Sequence, residues 1–104
     1  MDADWTLVAG ADDLNVDEMR AFEHQGRRLL LVRTGTRFHV VDEMCSHEDY
    51  SLALGCIKGD RIKCSLHGSY FDLNTGEALD EPADEPICTY PVQVEDGKVY
   101  AQLG

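Results

Sequence analysis

The sequence predicts an all-β domain, for which two observations are decisive. Short runs of alternating apolar and polar residues recur along the chain, and Gly-containing turn signals separate many of them. One run, Leu29–Val32, is apolar throughout, as expected of a strand that is buried on both faces. A chain of 104 residues makes one domain, and no internal repeat, low-complexity tract or linker divides it.

The elements follow in chain order. Hairpin connections are predicted at Gln25-Gly26-Arg27, Gly59-Asp60, Asn74-Thr75-Gly76 and Asp96-Gly97. The predicted strands are Trp5–Val8, Met19–His24, Arg28–Arg33, Arg37–Asp42, Gly55–Lys58, Arg61–Cys64, Tyr70–Leu73, Glu77–Leu79, Val92–Glu95 and Lys98–Leu103. Ala11–Leu14 is predicted as a helical turn because Asp suits a helix start. Three prolines, at 82, 86 and 91, predict a stiff loop.

Two short segments carry the chemistry, Cys45-Ser46-His47 and Cys64-Ser65-Leu66-His67. Each offers one thiol and one imidazole, and sixteen residues separate His47 from Cys64. Two thiolates and two imidazoles suit zinc, or a two-iron, two-sulfide cluster in which His replaces Cys on one iron. The pattern therefore predicts a metal centre built from two loops that face each other.

The order of the ligands favours the cluster over zinc. Zinc sites usually repeat one ligand type within a segment, as C-x-x-C followed by H-x3-5-H. Here each segment is mixed, so Cys45 and Cys64 can hold one iron while His47 and His67 hold the other. A single tetrahedral zinc has no need of that segregation. A zinc-stabilised interaction module stays as the alternative from a different class.

These residues resemble Rieske ferredoxins, in particular the electron carriers of bacterial aromatic-ring-hydroxylating dioxygenases. The resemblance continues through 68–72, 74–79 and Pro82-Ala83, and it covers nearly the whole chain. It implies a Rieske iron-sulfur fold, in which a small antiparallel barrel-like base (residues 1–42 and 80–104) carries an inserted cluster-binding subdomain of hairpins (43–79). It also implies one 2Fe-2S cluster, held by Cys45, His47, Cys64 and His67.

The resemblance extends to residues around the cluster. Ser69 matches a hydroxyl that donates a hydrogen bond to a bridging sulfide, and Leu66 is expected to screen the cluster from water. Phe71 replaces the Tyr that supplies a second donor in high-potential relatives. Tyr50 and Leu66 stand where those relatives carry a disulfide, so that brace is absent. We therefore expect a potential toward the low end of the Rieske range of about −150 to +300 mV.

The remaining Cys and His residues are expected to lie away from the centre. Cys56 and Cys88 are interpreted as small buried apolar residues or incidental thiols, although a disulfide between them is possible. His24 and His39 lie on strand patterns and are expected to be surface or packing residues rather than ligands.

The composition and length of the chain exclude several classes of function. The net charge of −11 argues against nucleic acid and anionic lipid as partners, and it favours either a solvated surface or steering toward basic patches. The chain is too short for an additional catalytic domain, and it has no apolar run of membrane-spanning length, no signal-peptide pattern and no nucleotide-binding Gly motif.

The resemblance implies an electron carrier rather than an enzyme, and these limits favour a soluble, cytoplasmic one. We expect a monomer, as suits a shuttle. The resemblance implies that a flavin-containing ferredoxin reductase supplies the electron and that a terminal oxygenase receives it. A Rieske-like small subunit of a nitrite reductase is the alternative within the same family.

Overall fold

The computed structural model describes residues 5–35, 37–44, 51–64, 68–79 and 85–103. These residues form antiparallel strands and one short 3₁₀ helix, which confirms the all-β prediction. The strands are β1 (Trp5–Gly10), β2 (Glu18–His24), β3 (Arg27–Arg33), β4 (Phe38–Asp42), β5 (Cys56–Lys58), β6 (Arg61–Lys63), β7 (Tyr70–Asp72), β8 (Thr89–Tyr90), β9 (Val92–Glu95) and β10 (Lys98–Gln102). The 3₁₀ helix is Leu52–Leu54. No helix in these ranges is long and apolar enough to cross a membrane.

Two sheets are built from both ends of the chain. One has the strand order β2-β3-β4-β8 and the other β1-β10-β9. Strand β3 lies inside the larger sheet, and Leu29, Leu30, Leu31 and Val32 on it are fully buried. Leu29 and Leu31 pack in one apolar core with Val99 and Ala101, whereas Leu30 and Val32 pack in a second core on the opposite face. Successive side chains of a strand point to opposite faces, which explains why this run is apolar throughout.

The third sheet has the order β5-β6-β7 and lies against the second core. Ile62 from β6 and Phe71 from β7 are fully buried there, packed with residues of β3 and β4. Because these side chains point inward, the alternate residues on the same strands point away from the core. The small sheet is thereby held on the larger one by apolar contact.

Most predicted strands are observed with ends shifted by at most two residues, but three local predictions are wrong. Ala11–Leu14 forms turns rather than a helical turn, because the Asp13 carboxylate accepts from the Gly10 N–H and closes the turn. Glu77–Leu79 contributes a single bridge, between Ala78 and Phe71, rather than a strand. Thr89–Tyr90, within the predicted proline-rich loop, pairs with Val40 and Val41 of β4 as an edge strand.

Gly55 allows the closest approach between the 3₁₀ helix and β6. A Cβ atom at this position would lie 1.7 Å from the Lys63 carbonyl oxygen and 2.9 Å from its carbonyl carbon. The Gly55 N–H donates to the Leu52 carbonyl at 3.0 Å, so the backbone is also held from the other side. A side chain would therefore displace either the helix or strand β6, which leads directly into Cys64.

We expect Gly55→Ala to lower the free energy of unfolding by about 2 kcal/mol, because the added methyl group overpacks a backbone contact. Gly35→Ala is the matched control, since nothing lies within 4 Å of its Cβ position, and it should change stability by less than about 0.5 kcal/mol. Urea unfolding of both variants measures the difference. Equal stabilities would contradict the close approach.

His39 lies on β4 beneath the third sheet, which agrees with its predicted packing role. The residue is 6 % exposed, and its Nε2 atom is buried without a hydrogen-bond partner. Burial lowers the pKa of this imidazole, and Arg37 acts in the same direction. The carboxylates of Asp60 and Asp72 and the Leu73 backbone oppose that effect. His39 is therefore held neutral in the folded protein.

A lowered pKa in the folded state means that the unfolded chain binds the proton first. The stabilisation from neutral His39 should be fully present above the unfolded pKa of 6.5 and should be lost as the pH falls below it. We expect His39→Leu to flatten the fall in unfolding free energy between about pH 7 and pH 5. An unchanged slope in His39→Leu would contradict this assignment.

Candidate metal centre

Cys64 follows strand β6 and is 1 % exposed. Its N–H donates to the Ser69 carbonyl at 2.8 Å, and its own carbonyl accepts from the Gly68 N–H at 2.8 Å. The positive φ of Gly68, 76°, is a conformation that glycine adopts without strain. Hydrogen bonds therefore join the described residues on either side of 65–67, and the Cys64 side chain lies within the apolar core.

The ends of the first ligand segment are also held side by side. Met44 and Ser51 form an isolated antiparallel bridge, and the Leu52 N–H donates to the Glu43 carbonyl at 2.7 Å. Strand β4 brings the chain to this point, and the 3₁₀ helix leads it away toward β5. The described residues that flank the first segment are thus paired with each other as well.

Glu43 is the polar group that holds this base together. It is 4 % exposed, and its carboxylate accepts from the Arg28 guanidinium at 3.0 Å and from the Ser51 hydroxyl. The Ser51 oxygen in turn accepts from the Ala53 N–H at 3.1 Å and caps the 3₁₀ helix. A buried carboxylate is tolerated because these donors replace its lost hydration. The Arg28 side chain is 62 % exposed, so we assign the network a positioning role rather than a large ion-pair energy.

The bases of the two loops are neighbours. Leu52, which follows the first loop, and Cys64, which opens the second, belong to the same buried cluster, together with Ile62. The contact between Gly55 and the Lys63 backbone joins the same two stretches. A buried thiol on one closed loop, beside the base of a second loop that carries Cys and His, fits the ligand set expected for a two-iron cluster.

The predicted site residues fall into two groups. Cys64 and Ser69 lie in the described part of the chain, where both are 1 % exposed. Cys45, His47, Leu66 and His67 lie outside the described residues, as does Tyr50. Within the described ranges, no group of three His, Cys, Asp or Glu side chains could hold a metal ion.

Of the two interpretations of Cys56 and Cys88, burial is wrong and incidental thiols is confirmed, since both are exposed free thiols and do not form a disulfide. Cys56 lies opposite Lys63 on the outward side of β5, because the neighbouring pair of Ile57 and Ile62 points toward the core. Cys88 lies beside Asp42, and that carboxylate raises the pKa of its thiol. Neither residue shares the environment of Cys64.

Sequence reasoning missed the Glu43 network entirely. A charged residue before a predicted ligand loop is most simply interpreted as a surface residue, and its partner Arg28 lies on another strand. The spacing between Glu43 and Ser51 matches no local capping pattern. The network becomes visible only when the two ends of the loop are paired.

We expect Ser51→Ala to lower the free energy of unfolding by about 1–2 kcal/mol, because it removes a helix cap and one donor to a buried carboxylate. Thr75→Ala is the matched control, since the Thr75 hydroxyl accepts from the Glu77 N–H at an exposed turn. Its effect should stay below about 0.5 kcal/mol. Thermal unfolding of the two variants measures the difference, and a neutral Ser51→Ala would exclude a stabilising role for the network.

Comparison with known proteins shows the family of the chain. The Rieske [2Fe-2S] domain family matches residues 4–91. The chain is 33 % identical over 97 residues to ferredoxin CarAc of Metapseudomonas resinovorans, covering 92 % of this chain and 91 % of that protein. It is 38 % identical over 76 residues to the 3-phenylpropionate/cinnamic acid dioxygenase ferredoxin subunit of Escherichia coli (strain K12), covering 72 % of each.

Solved structures give the same result. A chain in the complex of reduced oxygenase and oxidized ferredoxin in carbazole 1,9a-dioxygenase superposes with a TM-score of 0.89 at 30 % identity, covering 97 % of this chain and 94 % of that one. A putative NADH-dependent nitrite reductase small subunit from Mycobacterium tuberculosis superposes with a TM-score of 0.83 at 19 % identity, covering 93 % and 92 %. The second likeness shows a shared fold alone.

The family match covers most of the chain, and ferredoxin CarAc aligns over nearly the full length of both proteins. The chain belongs to the Rieske [2Fe-2S] domain family.

Proposed function

We propose that this chain is the one-electron carrier of an aromatic-ring-hydroxylating dioxygenase system, moving electrons from a flavin-containing ferredoxin reductase to a terminal oxygenase. The observation that carries this proposal is the buried Cys64 thiol, which packs in one core with Leu52, beside the paired residues Met44 and Ser51 that flank the segment containing Cys45 and His47. The curated relatives named above are ferredoxin components of such systems, which supports the same role. The chain itself is not a catalyst in this assignment.

The proposed ligands are Cys45 and Cys64 on one iron and His47 and His67 on the other. When bound, the 2Fe-2S cluster supplies reversible one-electron chemistry. The protein's own contribution is to hold and shield the ligands. Cys64 is kept in an apolar core with Leu52 and Ile62, so water is excluded around its sulfur.

Ser69 and Phe71 bear on the reduction potential. Ser69 is buried directly after the second loop, which suits a hydroxyl that donates to a sulfide. Phe71 is fully buried in the core and carries no hydroxyl, so one of the two expected donors is missing. Hydrogen bonds to the sulfur atoms stabilise the reduced, more negative form, and fewer of them should lower the potential.

The same proposal includes the two protein partners, the two structural parts of the chain and its location in the cell. The solved complex of a similar ferredoxin with its oxygenase supports the oxygenase as receiver, and the reductase follows from the need for an electron donor. The net charge of −11 would steer the carrier toward basic surfaces. Residues 43–79 form the cluster-binding part on a base of 1–42 and 80–104, and the carrier works as a cytoplasmic monomer.

The alternatives are less well supported. A nitrite reductase small subunit shares the fold, but the relatives above 30 % identity named here are dioxygenase ferredoxins. A zinc-stabilised module is inconsistent with membership of a 2Fe-2S family. A free carrier should also shuttle catalytically between a reductase and an oxygenase, whereas an enzyme subunit stays bound.

Analysis of metal and sulfide in anaerobically purified protein tests the centre. We expect two irons and two acid-labile sulfides per chain, and an electron paramagnetic resonance spectrum of mixed His and Cys ligation after reduction. Cys45→Ser and His67→Ala should lose iron and colour. Cys56→Ser and His24→Ala are matched controls that should keep both, because these residues lie outside the proposed ligand set.

Electron transfer is measured with the same protein. Catalytic amounts of the carrier should support oxygenase turnover driven by a flavoprotein reductase, and the ligand variants should support none. A colourless wild-type protein, or full turnover in Cys45→Ser, would overturn the proposed function.

A further inference from the structure

One row of side chains on the third sheet faces away from the core. Cys56 lies opposite Lys63, Lys63 lies opposite Tyr70, and the Tyr70 carbonyl accepts from the Leu79 N–H at 2.8 Å. The residues beside them, among them Ile62 and Phe71, point into the core, so this row points outward. Leu54, the last residue of the 3₁₀ helix, lies two residues before Cys56 and so adjoins this row along the chain. We call this set the outer row: Leu54, Cys56, Lys63, Tyr70 and Leu79.

The ends of the outer row are exposed leucines. Leu54 is 64 % exposed and Leu79 is 39 % exposed, and they are two of the five large apolar side chains exposed in the described ranges. The other three, Leu7, Val16 and Val94, lie in the base, on β1, in the loop before β2 and on β9. A single exposed leucine needs no explanation, but two at the ends of one row are the composition of a contact surface.

The centre of the outer row carries a cation, Lys63, that forms no ion pair with another residue of the described ranges. The Lys63 ammonium lies 5.8 Å from the centroid of the Tyr70 ring, and the ion pairs found among the described residues involve only Arg20 and Arg28. The next row of the same sheet differs, because Arg61 lies opposite Asp72 and has a carboxylate beside it. A carboxylate supplied by a partner protein could form an ion pair with the Lys63 ammonium.

The outer row also adjoins the proposed cluster. Lys63 precedes Cys64 directly, and Tyr70 follows Ser69, so the row runs along the base of the second ligand loop. A protein seated on it would lie next to the centre from which the electron must leave. An apolar patch elsewhere on the base would not have this consequence.

We propose that the outer row is a docking surface for the terminal oxygenase, which meets Leu54 and Leu79 with apolar groups and Lys63 with a carboxylate. The inference rests on the proposed function and adds which surface makes the contact. The acidic remainder of the chain governs how fast the partners meet, because long-range steering acts on the association rate. The apolar ends of the outer row govern how long they stay together, because truncating buried contacts mainly changes the dissociation rate.

The test uses the wild-type carrier and an oxygenase that accepts its electrons. Leu54→Asn combined with Leu79→Asn should raise the KM for the reduced carrier about tenfold, equivalent to 1.4 kcal/mol, with kcat unchanged. Leu7→Asn combined with Val94→Asn is the matched control, since these residues are 55 % and 49 % exposed on the base, and it should change the KM less than about twofold. The reduction potential and the midpoint of thermal unfolding should be the same in both double variants.

Salt separates the two contributions. The effect of the leucine substitutions should persist at high ionic strength, whereas Lys63→Gln should raise the KM at low salt only. Lys58→Gln, on the same sheet but in the next row, is its control.

If the outer-row and control variants give equal KM values while the wild type supports turnover, the docking surface is wrong and the proposed function stands. If the wild type transfers no electrons to any oxygenase, both are wrong.

Discussion

The apolar contact between the third sheet and strands β3 and β4 is the constraint on which the metal centre depends. Leu30, Val32 and Val41 form one side of this core, and Ile62 and Phe71 form the other. Each of these side chains is fully buried, and burial of a side chain of this size contributes about 1.5–3 kcal/mol. Because both ligand loops leave the chain at the edge of this core, their separation is decided by packing rather than by the loops themselves.

Polar interactions hold together the ends of the two ligand segments, which the apolar core brings close to each other. Glu43 holds the ends of the first loop together through Ser51 and Arg28, and the hydrogen bonds between Cys64, Gly68 and Ser69 close the second loop. Holding the two ends of a segment together lowers the entropy that its chain loses when a metal cluster is bound.

The surface of the chain combines two kinds of interaction that suit a shuttle. Its many carboxylates act over distances comparable with the screening length and so guide encounters, while the outer row offers a small, largely apolar contact beside the second loop. A carrier that serves two partners in turn must dissociate from each, and small interfaces permit rapid exchange. Electrostatic guidance and a limited contact area are therefore compatible requirements rather than competing ones.

The sequence by itself determined the strands and the metal chemistry, because both are local patterns. Alternation and turn residues located nearly all the strands, and the segments containing Cys45 and Cys64 indicated a mixed thiolate and imidazole centre. Thr89–Tyr90 escaped notice because a two-residue edge strand exists only through its pairing with β4. Ala11–Leu14 was mistaken for a helical turn because Asp13 satisfies a turn as readily as a helix start.

Only the tertiary structure decided which residues support the centre. Glu43 is buried because Ser51 and Arg28, distant in sequence, supply its donors, and Cys56 is exposed because the strand register turns it away from the core while Cys64 lies within it. The physical reason is that burial, and the pairing of a charged or reactive group, are set by neighbours from other strands. A local sequence pattern indicates which chemical groups a residue offers. The burial of that residue and its interaction partners depend on the folded chain.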